Sequence, residues 1–150
     1  AGADPNVRDD DGVAPLVWAA RRGQPDAIRL LLSYKADPKV TGPKGHSVLH
    51  ATVLSARGGS ACLKILAENG ADPMIEDSEG HTALISAARR GKAGCIKALV
   101  RSKTDVNHRD LGGRTALIWA ARNGRARCVG RLLEYGPNLN IQDKSGRTAL

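Results

Sequence analysis

The sequence contains no phenylalanine, and its two tryptophans and two tyrosines make up only 3% of the 150 residues. Without large rings, a core has to be filled by small and branched aliphatic side chains, and alanine lets neighbouring helices approach closely. No run reaches the roughly 18 apolar residues that a membrane span needs, and no signal peptide opens the chain. These absences favour a soluble chain that does not insert into a membrane.

Cysteine is also scarce, because only Cys62, Cys95 and Cys128 are present, 33 residues apart. Equivalent positions of packed helices lie roughly 8–10 Å apart, whereas a disulfide needs Cα atoms within about 7 Å. We therefore expect three buried, unpaired thiols. Free thiols favour a reducing, intracellular location, either cytoplasmic or nuclear or both.

The chain does contain a repeated string that begins with glycine. It returns at Gly12, Gly45, Gly80, Gly113 and Gly146, with spacings of 33, 35, 33 and 33 residues. The fourth copy reads Gly-Arg-Thr-Ala-Leu-Ile-Trp-Ala-Ala. A period of this length indicates a solenoid of stacked units.

These strings resemble the ankyrin repeat, whose hallmark is Thr-Pro-Leu-His-x-Ala. The linking string Gly-Ala-Asp-Pro, at residues 2–5 and again at 70–73, extends the resemblance to the whole chain. It implies an all-α ankyrin-repeat solenoid of stacked helix-turn-helix units with β-hairpin or turn fingers. We divide the single domain 1–150 into a partial repeat 1–8, four repeats of about 9–41, 42–76, 77–109 and 110–142, and a partial repeat 143–150. Both ends are expected to lie inside a repeat of a longer array.

Each unit carries signals for the ends of its first helix. A Ser or Thr two residues after the glycine, as at Ser47 and Thr82, can cap that helix, whereas Ala14 cannot. Gly23 suits the left-handed conformation past a helix end. An Asp three residues before the repeat glycine fixes a tight finger turn in most units. Gly42 replaces this Asp in the second full repeat, so that finger is expected to differ in shape.

Two further features distinguish the second full repeat. His50 stands where the family motif has its histidine, which implies hydrogen bonds to the neighbouring finger and to the first helix. The two additional residues of this 35-residue unit fit best in the segment 54–60, as a longer loop or as an extended first helix. We favour a neutral loop.

The residue patterns of an enzyme are missing. No cysteine is next to a histidine, and neither a Gly-x-Ser-x-Gly elbow nor a phosphate-binding glycine loop occurs. The histidines are too dispersed for a metal cage, and His46 and His81, at one position of successive repeats, should lie roughly 10 Å apart. We predict a non-enzymatic protein without a metal or a cofactor.

In ankyrin-like proteins, partners usually contact the finger tips and the exposed end of the first helix, which together form a concave groove. The first finger of this chain carries Asp10 and Asp11, whereas the later fingers and three helix ends are basic, so the groove is expected to run from acidic to basic. The candidate partner-binding residues are Trp18, Arg21, Arg22, Lys44, His46, His81, Arg89, Arg90, Arg114, Trp119 and Arg122. Because Arg offers forked donors to carboxylates and phosphates, we expect a protein partner with an acidic segment.

Other interpretations stay open at this point. Arginine at a helix C-terminus also complements the helix dipole, and the net charge of +8 belongs to both faces. Trp18 and Trp119 are interface anchors if they are exposed and core residues if they pack against the neighbouring helix, which we favour. Tryptophan beside arginine also allows nucleic acid or a phosphorylated ligand as partner. A purely architectural spacer within a longer array is the third possibility, and in each case we expect a monomer.

One more resemblance concerns a modification. Leu99 followed by Asp-Val-Asn at residues 105–107 is similar to the pattern of ankyrin-repeat asparagines that an oxygen-dependent asparaginyl hydroxylase modifies. It implies Asn107 as the acceptor.

Overall fold

The computed structural model describes residues 2–57 and 59–150, which form four successive pairs of short helices. The helices are α1 Pro15–Arg22, α2 Pro25–Ser33, α3 Val48–Leu54, α4 Gly59–Glu68, α5 Ala83–Arg90, α6 Ala93–Arg101, α7 Ala116–Arg122 and α8 Ala126–Leu133. Over the described residues no strand forms, and the fingers are turns apart from one isolated bridge between Thr41 and Ser47. The all-α prediction is confirmed, with fingers of the turn type.

The helices stack in two layers. The first helices of successive pairs contact one another in the order α1, α3, α5 and α7, and the second helices do so in the order α2, α4, α6 and α8. Helices of 7 to 10 residues are too short to be stable alone. They are stabilised by a continuous core that extends from Val13 to Leu132 and consists of the small and branched side chains that the composition predicts.

The first helices begin and end as their sequences indicate. The side chains of Ser47 and Thr82 accept hydrogen bonds from the third residue of their helices, whereas Ala14 makes no such bond. Gly23 follows α1 with φ of 63°, and a Cβ at this position would collide with the carbonyl oxygen of Arg57. The end of α1 therefore packs tightly against the segment between α3 and α4.

That segment does not extend the first helix, because α3 ends at Leu54 and α4 begins at Gly59. Gly58, within the expected insertion, lies outside the described residues. The Ser55 hydroxyl donates to the carbonyl of Arg57 at 2.8 Å, and Lys92 Nζ donates to the carbonyl of Ser55 at 3.3 Å. The segment is thus connected to the repeats on both of its sides.

The finger that lacks its Asp also differs, as predicted. It contains a single 3-10 turn, Pro43–Gly45, in which Lys44 adopts φ of 59°. Lys44 is exposed at this turn.

The three cysteines are buried and unpaired, which confirms the prediction for them. Burial raises the pKa of each thiol, so the thiols stay protonated and unreactive. Within residues 2–57 and 59–150, no helix is long and apolar enough to cross a lipid bilayer.

Candidate functional site

The finger carboxylates lie on the face formed by the fingers and the first helices, which we call the concave face because the resemblance to ankyrin repeats implies that shape. Asp110 Oδ1 accepts hydrogen bonds from the backbone N–H groups of Gly112 and Arg114, each at 2.8 Å. Asp9 and Asp77 close their own fingers through equivalent bonds of 2.8–3.1 Å. One carboxylate oxygen thus fixes the turn, and the other is left for a contact with another side chain.

In the two repeats that carry tryptophan, this second oxygen accepts a hydrogen bond from the indole. Trp18 Nε1 donates to Asp9 Oδ2 and Trp119 Nε1 donates to Asp110 Oδ2, both at 2.8 Å. Trp18 is 37% exposed, so its expected place in the core is wrong. Trp119 is half-buried and packs against the core on one side. Each indole therefore connects a finger to a first helix while one part of its ring faces solvent.

Arginines cover the exposed indole of the first repeat. The guanidinium carbons of Arg21 and Arg22 lie 5.4 Å and 5.8 Å from the centroid of the Trp18 ring. Distances below about 6 Å are those of cation–π contacts. Asp9, Trp18, Arg21 and Arg22 form what we call the first Trp–Arg cluster. The pKa of Asp9 is lowered by the backbone N–H of Val13 and by the Trp18 indole, so the carboxylate stays ionised.

A second Trp–Arg cluster surrounds Trp119. The guanidinium carbons of Arg114, Arg89 and Arg122 lie 4.8, 5.3 and 5.7 Å from its ring centroid. These arginines come from the fourth finger, the end of α5 and the end of α7, so three separate segments converge on one ring. Together with Asp110 they complete the cluster.

The arginines of the two clusters differ in their acidic neighbours. Arg89 lies 3.4 Å from Glu79, and Arg114 lies 3.8 Å from Asp143. Over the part of the chain that the structure describes, no carboxylate forms an ion pair with the other four candidate arginines, which are Arg21, Arg22 and Arg122 of the clusters and the neighbouring Arg90. These four side chains are exposed. They are the cations most available to an acidic partner.

His81 is not available to a partner. It is 2% exposed and lies between two finger carboxylates, with Nδ1 3.5 Å from Asp77 Oδ2 and Nε2 3.2 Å from Asp110 Oδ2. Its ring also meets Trp119 edge-on, with 5.7 Å between the centroids. The assignment of His81 to the binding surface is therefore wrong, because the free oxygens of two successive finger aspartates draw the imidazole inward.

His46 and His50 form a stacked pair next to His81 and Asp77. Their ring centroids are 5.6 Å apart, and His46 Nε2 lies 3.6 Å from Asp77 Oδ2. His46 is half-buried and therefore only partly open to a partner. His46 and His81 contact the same oxygen, so their ring nitrogens are closer than the 10 Å expected from helix packing. No group of three or more potential ligands within the described residues could hold a metal ion.

His50 connects its own helix to the next finger, as the resemblance implies. Its Nδ1 accepts from the backbone N–H of Ser47 at 3.2 Å, and its Nε2–H then donates to the carbonyl of His81 at 2.8 Å. Burial lowers the pKa of His50, so the neutral ring is favoured. Burial also pushes the pKa of Asp77 upward, but the N–H groups of His81 and Glu79 and the nearby histidines hold it below its usual value.

A cavity of about 210 Å³ lies between the two Trp–Arg clusters. Ser86 stands there in the position that tryptophan occupies in the first and fourth repeats, and the small side chain leaves the space open. Lys44, Arg89 and Arg90 contribute positive charge to the walls, and Asp77 and Glu79 contribute negative charge. The middle of the concave face is therefore recessed and polar, whereas both ends carry tryptophan with arginine, and the first end also carries the exposed Asp10 and Asp11.

Comparison with known protein families agrees with this architecture. A match to the family described as ankyrin repeats, in three copies, covers residues 1–77 and 52–143. The chain belongs to the ankyrin-repeat family. Ankyrin repeats are in general protein–protein interaction modules and are typically not enzymes. Curated proteins give no match to the chain.

Not every polar side chain of this ankyrin array faces a partner. Arg109 donates to the carbonyls of Gly113 at 3.2 Å and Gln142 at 2.9 Å, so it links two successive fingers. Asn107 links two repeats, because its Oδ1 accepts from the backbone N–H of Asn138 at 2.8 Å. Hydroxylation of Asn107 stays a prediction.

The hydrogen bond between a finger aspartate and a tryptophan was not predicted from the sequence, although the spacing of the two residues indicates it. Both tryptophans follow a finger aspartate by nine residues. Taken alone, the aspartate predicts only a turn, and the tryptophan predicts either a core or an interface residue.

Proposed function

We propose that the concave face of this ankyrin array binds an extended, acidic segment of another protein, and that the chain acts as a non-enzymatic interaction scaffold. The observation that carries the proposal is the pair of Trp–Arg clusters, in the first and fourth repeats, in which Arg21, Arg22 and Arg122 have no acidic partner within the described residues. Tryptophan and arginine are the residue types most enriched among interface residues that dominate binding energy.

Preorganisation supports this use of the clusters. Each indole is held by its hydrogen bond to a finger aspartate, and the arginines lie over the ring. Side chains that are already ordered lose less conformational entropy when a partner binds. The planar guanidinium groups match carboxylates in a forked geometry, which favours Asp or Glu on the partner.

The spacing of the clusters indicates the length of the bound segment. Helix axes in contact are roughly 8–10 Å apart, so the first and fourth repeats are separated by roughly 24–30 Å. An extended chain advances about 3.3 Å per residue. We therefore expect two acidic groups roughly seven to nine residues apart, with the chain between them passing over the polar cavity.

The proposal is tested by capture of partners from cell lysate with the wild-type chain and the Arg89→Glu/Arg122→Glu variant. The Lys39→Glu/Arg127→Glu variant is the matched control, because it makes the same change in charge at exposed positions outside the groove. We expect proteins with acidic segments to bind the wild-type chain and the control, and to be lost with the groove variant. Retention by all three proteins would contradict the proposal.

A parallel sample treated with nuclease distinguishes the proposed protein partner from the main alternative, which is nucleic acid. Nucleic acid bound through the same arginines would disappear with the nuclease, and its binding would fall steeply with salt. Capture of nothing by the wild-type chain would favour an architectural spacer. We further propose that the chain is a monomer. We also propose a reducing, intracellular environment for it, since its three thiols are unpaired.

A further inference from the structure

The layer of second helices carries a groove that is separate from the concave face. It lies between α4 and α6 and encloses about 780 Å³, a volume within the usual range of binding sites. None of the residues proposed above to bind the acidic segment lines this groove. The groove therefore needs its own explanation.

Four small residues create the groove, namely Ala61, Ala67, Gly94 and Ala98. Counting from the cysteine position that the repeats share, the outer helices have larger residues at the corresponding places. Ala67 corresponds to Leu32 in α2 and to Leu133 in α8, and Ala98 corresponds to Leu30 and Arg131. Gly94 corresponds to Asp26 and Arg127. The two central repeats thus share a recess because their outward positions are small.

The rim of this recess is basic, because Lys64, Lys97, Arg101 and Lys103 line it. Its one acidic residue, Glu68, lies 3.9 Å from Lys64. Across residues 2–57 and 59–150, no carboxylate forms an ion pair with any of the other three cations.

In the neighbouring helices α2 and α8 of the same layer, arginines form ion pairs with nearby carboxylates. Arg29 lies 2.9 Å from Asp26 in α2, and Arg131 lies 3.2 Å from Glu134 at the end of α8. Helix α6 contains no acidic residue at all. The groove therefore combines a floor of small, mostly apolar side chains with an excess of positive charge at its edge.

We propose that the α4–α6 groove is a second interaction surface, which binds an acidic segment of a partner protein with aliphatic side chains between its carboxylates. The apolar floor receives the aliphatic side chains, and the rim cations meet the carboxylates. Among the described residues, no aromatic side chain on which a nucleic-acid base could stack lines the groove. The recessed floor also offers no protruding apolar side chain to a membrane surface.

The test uses an acidic amphipathic peptide as the probe. The ¹⁵N-labelled chain is titrated with a 16-residue peptide of four Glu-Leu-Glu-Ala units, and NMR shifts locate its binding site. The reference peptide has glutamine in place of every glutamate. We expect shifts centred on the amides of Ala61, Gly94 and Ala98, and a Kd at least tenfold weaker for the glutamine peptide.

Two variants separate shape from charge. Ala98→Leu fills the groove with the residue that α2 carries at this position, and Lys97→Glu/Arg101→Glu reverses the rim. We expect each change to weaken the Kd at least tenfold, whereas Lys39→Glu/Arg127→Glu, which makes the same charge change elsewhere, leaves it within twofold. Thermal unfolding of each variant checks that the chain is folded.

Three results would overturn the proposal. One is equal affinity of the wild-type chain and the Ala98→Leu variant, and another is a set of shifts centred on the concave face. The third is tighter binding in the groove of a 16-nucleotide thymidine strand or of phosphatidylserine vesicles than of the peptide. Because the concave-face variants change none of these groove residues, failure here is distinct from failure of the proposed function.

Discussion

Replacing Asp110 by alanine is expected to destabilise the chain clearly more than replacing Asp10, an exposed finger carboxylate. Asp110 is 7% exposed. Its carboxylate accepts from two backbone N–H groups and from the Trp119 indole, all at 2.8 Å, and its Oδ2 lies 3.2 Å from His81 Nε2. The substitution removes four contacts at once and leaves part-buried donors without an acceptor.

The size of the effect follows from these contacts. A hydrogen bond to a charged group contributes about 1.5–3 kcal/mol, although bonds that share one acceptor are not additive. Leaving a buried donor without its acceptor costs about 1–3 kcal/mol, and Asp110→Ala leaves three part-buried donors in this state. We therefore expect Asp110→Ala to lower the free energy of unfolding by about 3–5 kcal/mol. Asp110→Asn keeps an acceptor for the finger but places an amide N–H₂ near the indole, so we expect an intermediate loss.

Urea unfolding, followed by circular dichroism and by tryptophan fluorescence, measures this loss. Asp10→Ala is the control, because Asp10 is an exposed finger carboxylate, and surface changes of this kind usually stay within about 0.5 kcal/mol. In a repeat protein the fourth unit can unfold separately from the others, and fluorescence from Trp119 would report that step. A loss below about 1 kcal/mol for Asp110→Ala, or equal to that of the control, would refute the reasoning.

Three further predictions concern the backbone and the pH dependence of stability. Gly23 and Gly124 both have φ of 63°, but a Cβ at Gly23 would collide with the Arg57 carbonyl, whereas a Cβ at Gly124 would meet nothing within 4 Å. Urea unfolding should therefore show that Gly23→Ala is clearly more destabilising than Gly124→Ala. Lys103 has φ of 64°, and a left-handed backbone costs an L-residue about 1–2 kcal/mol. Lys103→Gly should therefore raise the urea midpoint, whereas the comparison variant Lys64→Gly, inside α4, should lower it. The pKa of His50 is lowered by burial in the folded chain, so below about pH 6.5 the unfolded chain binds one more proton than the folded chain. The free energy of unfolding should therefore fall as the pH drops below this value, with a slope of up to about 1.4 kcal/mol per pH unit. His50→Ile, which copies the branched residue of other repeats, should remove this part of the slope in unfolding measurements between pH 5 and 7; an unchanged slope would contradict it.

The periodic features of the fold could be predicted from the sequence because they depend on local chemistry. Ser47 caps α3 and Gly23 follows α1 with positive φ through bonds and dihedral angles that involve only nearby residues. The resemblance to ankyrin repeats supplied the stacking that local signals cannot give.

The side-chain arrangement of the concave face could be predicted only in part. The positions of Arg89 and Arg122 were expected, but their contact with one Trp119 ring depends on how two first helices stack. His81 was misassigned because its burial depends on the second oxygens of Asp77 and Asp110, which belong to different fingers. The α4–α6 groove was not predicted either, since it appears only when outward positions of successive second helices are compared.

The most direct test of the central claim is a selection of random 16-residue peptides, displayed on phage, against the wild-type chain. The selected peptides are then measured against Arg89→Glu/Arg122→Glu and against the control Lys39→Glu/Arg127→Glu. The proposed function predicts peptides enriched in Asp and Glu, whose affinity falls at least tenfold with the groove variant and stays within twofold with the control. Peptides without acidic enrichment, or with equal affinity for the groove variant, would contradict a concave face built to bind acidic segments.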